Sequence, residues 1–446
     1  MRRLAALLIL ALGLLAGCSR RAHLNPFDPD NPDTGGRPED FVALAANQGV
    51  ILRWRATSSP GLIGYQIFRR GPDDADYRPL TGVLPAVTSS IGDFGLANGR
   101  DHRYRIYYVF DRGLGALPAE DVATPGPLRP WVSDYDARLL VRLTADGRHL
   151  AETLNPTGAV PAALDVDPVT GTVWTCGPDG GVLAWNPGTG QRMLFQGFPM
   201  PVSVLVDRVG RSVWIGDAIN DQAVHLDLSG VPVDPPVLTS LDWPGSLALD
   251  ERTRALWVVE QDGNRVRKYS ASGALLGTAS VDLPSRVSVD EVTHEAWVTS
   301  FQRGRVVRLS PFAVPLDTIT ACSGPIGIVA DPLRQRVWVA DASGSQVVAL
   351  RHDGTVEFRI GNQPDAREVA LDDSTGEVWA TLPAAGAVSR LSPDGREILR
   401  VGGMTAPYAI ALDDLRDREY LGAGGAAPAT AARVAAPPSR RVSRTR

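Results

Sequence analysis

Gly324-Pro325-Ile326-Gly327-Ile328-Val329-Ala330-Asp331, then Val337-Trp338-Val339-Ala340-Asp341, then Gln346-Val347-Val348-Ala349-Leu350, is one copy of a pattern that recurs through most of the chain. Each part has a local physical reading. The apolar run before Asp331 is rich in β-branched residues and bounded by breakers, which predicts a buried strand. Pro325 stands at its start, where no ladder donor is yet needed. Asp331 opens a tight turn whose amides its carboxylate can accept. Trp338 lies on a second strand and carries enough apolar area to fill the space between two packed sheets.

Outward from this copy, tryptophans stand at 131, 174, 214, 257, 297, 338 and 379, with gaps of 43, 40, 43, 40, 41 and 41 residues. Seven residues before each, from the second onward, comes an aspartate: Asp167, Asp207, Asp250, Asp290, Asp331 and Asp372. Asp413 precedes Tyr420 by the same interval, which makes Tyr420 a substituted rung. Prolines open the units at Pro161, Pro201, Pro244, Pro284, Pro325 and Pro407, with Pro364 two residues early in the Trp379 unit. A period near 40 is the length of one four-stranded blade of a β-propeller. The expected fold class is therefore all-β, with the propeller over residues 128–422. Repeated Trp and Asp are read as structural, because stacked repeats reuse their packing residues.

The ends of the repeat region complement each other. The Trp131 unit has no inner strand, since Thr124-Pro125-Gly126-Pro127 takes its place, whereas the last unit supplies Tyr408-Ala409-Ile410-Ala411-Leu412. Joining the two closes the ring and removes exposed sheet edges. That predicts six complete blades and one composite, hence seven. The count becomes eight if the Tyr420 strand begins a remnant blade of its own.

The unit resembles the NHL and YVTN families of propeller repeats, through Pro-x-x-apolar-x-x-Asp followed by apolar-Trp-Val-x-Asp. The resemblance covers roughly residues 131–422. It implies the propeller and no single activity, since those families include receptors, scaffolds and a few enzymes.

Upstream, Met1-Arg2-Arg3 is a basic start and residues 4–15 are an apolar run of twelve, followed by small residues. This reads as a signal peptide over residues 1–17, too short to span a membrane. Leu15-Ala16-Gly17-Cys18 resembles the bacterial lipobox, which implies lipidation at Cys18 and attachment to a membrane surface. Ser19 after that cysteine implies sorting to the outer rather than the inner membrane. Residues 18–38, with Asn25-Pro26-Phe27-Asp28-Pro29-Asp30-Asn31-Pro32-Asp33-Thr34-Gly35-Gly36, are too dense in proline and turn formers to build a core. They read as an extended tether and resemble lipoprotein stalks.

Residues 39–127 carry alternating strands: Val50-Ile51-Leu52-Arg53-Trp54, Gly64-Tyr65-Gln66-Ile67-Phe68-Arg69-Arg70, and Leu96-Ala97-Asn98-Gly99 leading to Tyr104-Arg105-Ile106-Tyr107-Tyr108-Val109. With Trp54 and Tyr65 on successive strands and Tyr104 near a late corner, the segment resembles a fibronectin type III β-sandwich. The resemblance implies a core Trp54 and a corner Tyr104 whose hydroxyl bonds to nearby backbone. Residues 423–446 are low-complexity and read as a disordered tail.

The net charge of −5 and scattered arginines leave no nucleic-acid signature. Lys268 is the only lysine, and Cys176 and Cys322 fall at different repeat positions, which predicts two buried free thiols rather than a disulfide. The six histidines have no ligand spacing, and neither a nucleophile elbow nor a phosphate loop occurs. No cofactor and no metal is expected.

Propeller ligands meet the face formed by loops that enter the inner strand and leave the second one. Three residues after the repeat aromatic, that face receives Asp134, Asp217, Glu260 and Asp341. Next to the strand-opening prolines it receives Ser246, Ser285, Arg286, Arg367, Glu368 and Tyr408. Carboxylates with two arginines can bind a cation or a polar ligand at the channel mouth. The same residues serve equally as turn caps and a solvated rim. Regucalcin-like lactonases have this kind of propeller with an acidic metal site, but their Glu-Gly-Pro is absent here, the nearest string being Ser323-Gly324-Pro325. Two readings follow. One is a non-enzymatic lipoprotein, anchored in the cell envelope, whose propeller binds an unknown protein or glycan. The other is a metal-dependent, lactonase-like hydrolase using the acidic rim.

Overall fold

The computed structural model describes residues 25–415. The signal peptide, Cys18, Tyr420 and the 423–446 tail lie outside the described residues. The chain divides into two compact units, residues 1–126 and 127–446.

The second unit is built of seven four-stranded antiparallel sheets. Six are continuous in sequence, spanning residues 163–195, 201–238, 244–280, 286–319, 325–360 and 369–401, and are numbered blades 2 to 7. Blade 1 is composite: Leu128–Asp134, Leu139–Leu143 and Leu150–Leu154 take their innermost strand from Pro407–Asp414. The pairing runs Leu128↔Asp414, Trp131↔Ala411 and Val132↔Ile410. Pro407–Asp414 also packs between Val369–Asp372 of blade 7 and Ala163–Asp167 of blade 2, so the ring closes at seven and an eighth blade has no place. Closure pairs the inner edge of Leu128–Asp134, which would otherwise be bare.

Each repeat tryptophan packs onto the following blade. Trp131 meets Val166, Val173 and Leu183 of blade 2, and Trp174 meets Val204, Val206 and Ile215 of blade 3. Trp379 meets Val132, Val141 and Ile410 of the composite blade, which carries the packing across the closure. Six of the seven rings are fully buried and their indole N–H groups have no acceptor among the described residues. The ring is used for its area, not its donor. Several are capped by a cation one strand further out: Arg142 over Trp131, Lys268 over Trp257 at 4.9 Å, Arg308 over Trp297 and Arg390 over Trp379. The lone lysine is thus a packing residue, its Nζ donating to the Pro311 carbonyl at 2.8 Å.

The repeat aspartates form the expected turns. Asp167 accepts from the amides of Val169 and Thr170, and Asp290 from those of Val292 and Thr293. They also tie blades together. Arg211 pairs with Asp167, Arg254 with Asp207, His294 with Asp250 at 2.8 Å and His352 with Asp290 at 2.9 Å, each reaching back one blade. Arg211, Arg254 and His294 hold left-handed φ values of 55°, 61° and 58° at the close of their own turns. A side chain there costs conformational energy that glycine would avoid, and the buried carboxylate of the preceding blade offsets it.

The first unit contains a sheet of Val42–Ala46, Gly49–Arg53 and Ser90–Phe94, and a six-stranded sheet centred on Leu62–Arg70 and His102–Phe110. Trp54 is buried against Tyr65, as expected of a core residue. The expected backbone bond of Tyr104 is not what forms. Its hydroxyl donates to the Asp93 carboxylate at 2.9 Å, which also takes Arg69 at 2.9 Å, so a buried charge selects the hydroxyl. Tyr65 has the backbone bonds instead, accepting from the Thr57 amide at 2.8 Å and donating to the Arg55 carbonyl.

The extended tether is also corrected from Asn25 onward. Residues 25–37 form consecutive turns around buried Asn31, whose side chain takes the amides of Asp33 and Thr34 and donates to the Asn25 carbonyl. Phe27 sets its ring edge-on to Tyr108 at 4.7 Å and Phe110 at 4.9 Å. One aromatic anchor and one saturated asparagine suffice to dock a segment whose composition alone predicts no core.

Candidate functional site

The four acidic rungs end the second strands of their blades, and all four are buried. Their carboxylates are spent on the neighbouring loops. Asp134 takes the amides of Thr405 and Ala406 at 2.7 and 2.8 Å. Asp217 takes the Met200 amide and the Asn220 side chain. Asp341 takes the amides of Ser323, Gly324 and Gly344 and the Gln346 side chain. Glu260 pairs with Arg265 at 2.6 Å and Arg267 at 3.1 Å, burial pushing its carboxyl up against them. Asp134, Asp217 and Asp341 each pin the loop that leads into an inner strand, whereas Glu260 holds two arginines on the next strand of its own blade. The four acids stay one per blade, and no three acids, histidines or cysteines among the described residues are grouped to hold a metal ion. Cys176 and Cys322 are buried free thiols, burial pushing Cys322 up to about 12.

The residues beside the strand-opening prolines do converge. Arg286 of blade 5 reaches Glu368 of blade 7, Nε to Oε2 at 3.4 Å, and donates from Nη1 to the Gly245 carbonyl of blade 4 at 3.2 Å. Glu368 leans over Gly327 of blade 6, where a Cβ would meet its Oε1 at 2.9 Å and its Cα at 2.7 Å. Any side chain at that glycine would evict the carboxylate. Arg367 lies 4.9 Å over the Tyr408 ring and Tyr408 packs on Tyr135 at 5.4 Å. Burial pushes the Glu368 carboxyl upward, and Arg286 and Arg367 pull it back down. Ser246 and Ser285 do not join them: their hydroxyls accept the Val287 and Phe301 amides.

At the opposite ends of the inner strands a second cluster forms, which the sequence reading missed. The residues that follow the turn aspartates include Arg208, Glu251, Glu291 and Asp373. Arg208 lies 3.7 Å from Glu251, and burial, then Glu251, pushes Glu291 up to about 7. The signal was available as the position after each repeat Asp. Two surface clefts, of about 410 and 350 Å³, lie elsewhere, one against the outer strands at residues 317–321 and one beside Asp167 and Arg211. Unlike these clefts, the mouth brings charged groups of blades 5 and 7 together.

No protein-family model and no curated protein matches this sequence. Solved structures do. A functionally unknown protein from Desulfotomaculum acetoxidans superposes with a TM-score of 0.54 at 12% identity, covering 64% of this chain and 98% of that one. A protein from Lactobacillus plantarum gives 0.53 at 13%, with the same coverage of 64% and 98%. A streptogramin B lyase structure gives 0.49 at 14%, covering 56% and 86%. At these identities the likeness is one of fold, and the fold is a β-propeller.

Proposed function

We propose that this chain is a non-enzymatic lipoprotein of the bacterial cell envelope, lipidated at Cys18, whose NHL/YVTN-like propeller presents a protein- or glycan-binding face. The observation that carries the reading is the asymmetry of the ring. On one face the turns are tied blade to blade by carboxylate–cation pairs. On the other, Arg286, Arg367, Tyr408 and Tyr135 gather at the mouth with donors left over. Arginine and tyrosine are the residue types that dominate recognition surfaces.

The first unit is a fibronectin type III-like spacer in this reading. Its strand order supports that, with the first, second and fourth long strands in one sheet and the remaining long strands in the other. Anchorage rests on the lipobox-like Leu15-Ala16-Gly17-Cys18. Metabolic labelling with a clickable fatty acid should mark the wild type and lose the label in Cys18→Ser, which should move to the soluble exported fraction. Equal labelling of both would remove the anchor. For the platform, the full chain immobilised as bait should retain a specific partner from envelope extract, and mouth variants should lose it.

A further inference from the structure

Arg286 and Arg367 are held more loosely than the arginines that tie the blades through Asp207 and Asp167, where Arg254 Nη1 lies 2.6 Å from Asp207 and Arg211 Nη2 lies 3.0 Å from Asp167. Charge-assisted N–H···O bonds favour about 2.7–2.9 Å. The contacts of Arg286 and Arg367 are longer. Arg286 reaches Glu368 at 3.4 Å and the Gly245 carbonyl at 3.2 Å. Arg367 reaches the Tyr408 hydroxyl at 3.5 Å and the Asp365 oxygens at 3.2 and 3.3 Å, and its Nε is buried with no acceptor. Arg286 touches the Glu368 carboxylate, and Arg367 is the residue beside Glu368 in the chain. All three side chains are between a fifth and a third exposed, which leaves them open to solvent and to a ligand.

We infer that the mouth is a carboxylate-recognition site in which Glu368 stands in for the carboxylate of an absent ligand. The inference deepens the binding-platform reading and rests on it. Two guanidinium forks with spare donors match a planar carboxylate, which accepts two parallel bonds per fork where Glu368 gives Arg286 one long contact. Glu368 can yield, because its carboxylate is held by long contacts, 3.4 Å from Arg286 and 3.4 Å from the Val369 amide. Its displacement frees Arg286, and the Tyr408–Tyr135 pair beside Arg367 offers an apolar wall to the rest of the ligand. Uronic sugars and peptide C termini both carry such a carboxylate.

The test is a titration of the full chain in detergent micelles with four probes: glucuronate, glucose, N-acetylalanine and N-acetylalaninamide. Binding of one or both carboxylates with no response to the neutral probes is expected. A preference for glucuronate identifies a saccharide source, and a preference for N-acetylalanine a peptide C terminus. Arg286→Lys and Arg367→Lys keep the charge but lose the fork, and each should weaken binding roughly tenfold or more with an unchanged melting temperature. Glu368→Gln should tighten binding severalfold by removing the internal competitor, a gain that misfolding cannot mimic. The proposal is overturned if no carboxylate binds, if neutral probes bind as well, or if the lysine variants bind like wild type. Retention of an envelope partner by the double lysine variant would leave the platform standing and refute the mouth.

Discussion

Glu291 is the residue whose environment departs furthest from what its neighbours in sequence suggest. Burial lifts its carboxyl to about 7, Glu251, Asp373 and Asp250 add to the rise, and Arg208 opposes it. In the unfolded chain the same group titrates near ~4.3. A carboxyl whose folded value is raised costs no stability below the unfolded value, and the cost grows as pH climbs to the folded one. Wild type should lose stability between about pH 4.5 and 7 at this site, and Glu291→Gln should not. The variant is expected to melt higher at pH 8, by about 1–3 kcal/mol, and to match wild type near pH 4. Thermal melts across that range decide it, and a constant offset at all pH values would contradict the titration. Trp338 makes the complementary case, since its ring is fully buried against Val369, Val378 and Ala380. Trp338→Ala should cost about 3–5 kcal/mol. Trp338→Phe should cost clearly less, because it keeps most of the area and removes an unmet donor.

Elements show where the sequence was legible and where it was not. Strand, turn and blade could be read because each blade repeats the same demand: a bulky ring toward the next blade, and a carboxylate at the turn. Those demands recur at fixed spacing and leave a period. The cross-blade partners leave none. Asp167, Asp207 and Asp250 are met by Arg211, Arg254 and His294, a position filled by either arginine or histidine. Arg286 and Glu368 lie 82 residues apart and meet only because the ring curves. Proline content in the segment before residue 38 was legible, but the docking power of Phe27 and Asn31 was not, since a single anchor has no periodicity. Phe27→Ala should therefore release residues 25–37, seen as faster proteolytic cutting there with the melting of the propeller unchanged. The acidic rungs end the second strands of their blades, and they are buried. Asp341→Ala strips the acceptor from the Ser323, Gly324 and Gly344 amides. It should destabilise by about 2–4 kcal/mol. The loss should be the same in calcium and in chelator, whereas a calcium-dependent difference would return the rung to metal binding.

The whole ring depends on one short strand contributed from the far end of the repeats. Pro407–Asp414 supplies the inner edge of blade 1, and in it Pro407, Ala409, Ile410, Ala411 and Asp413 are buried. Asp413 pairs with Arg129, and the amides of Thr405 and Ala406 just before the strand are held by Asp134. Ile410 also lies in the cluster that receives Trp379. Truncation after Gly403 removes all of this together. It bares the inner edge of Leu128–Asp134, leaves Asp134 and Arg129 without these partners, and opens blade 7 to solvent. Exposed hydrophobic edges pair with other chains, so the truncated protein should elute as aggregates or melt far below the full chain. A synthetic peptide of residues 404–415 added during refolding should restore part of the lost melting temperature, because the missing strand is linear and its groove is already shaped by blades 2 and 7. Rescue by this peptide and not by a scrambled one would locate the defect at the closure. If the truncated chain is monomeric and melts like the full one, the ring holds without its composite strand, and blade packing through the tryptophans alone is enough.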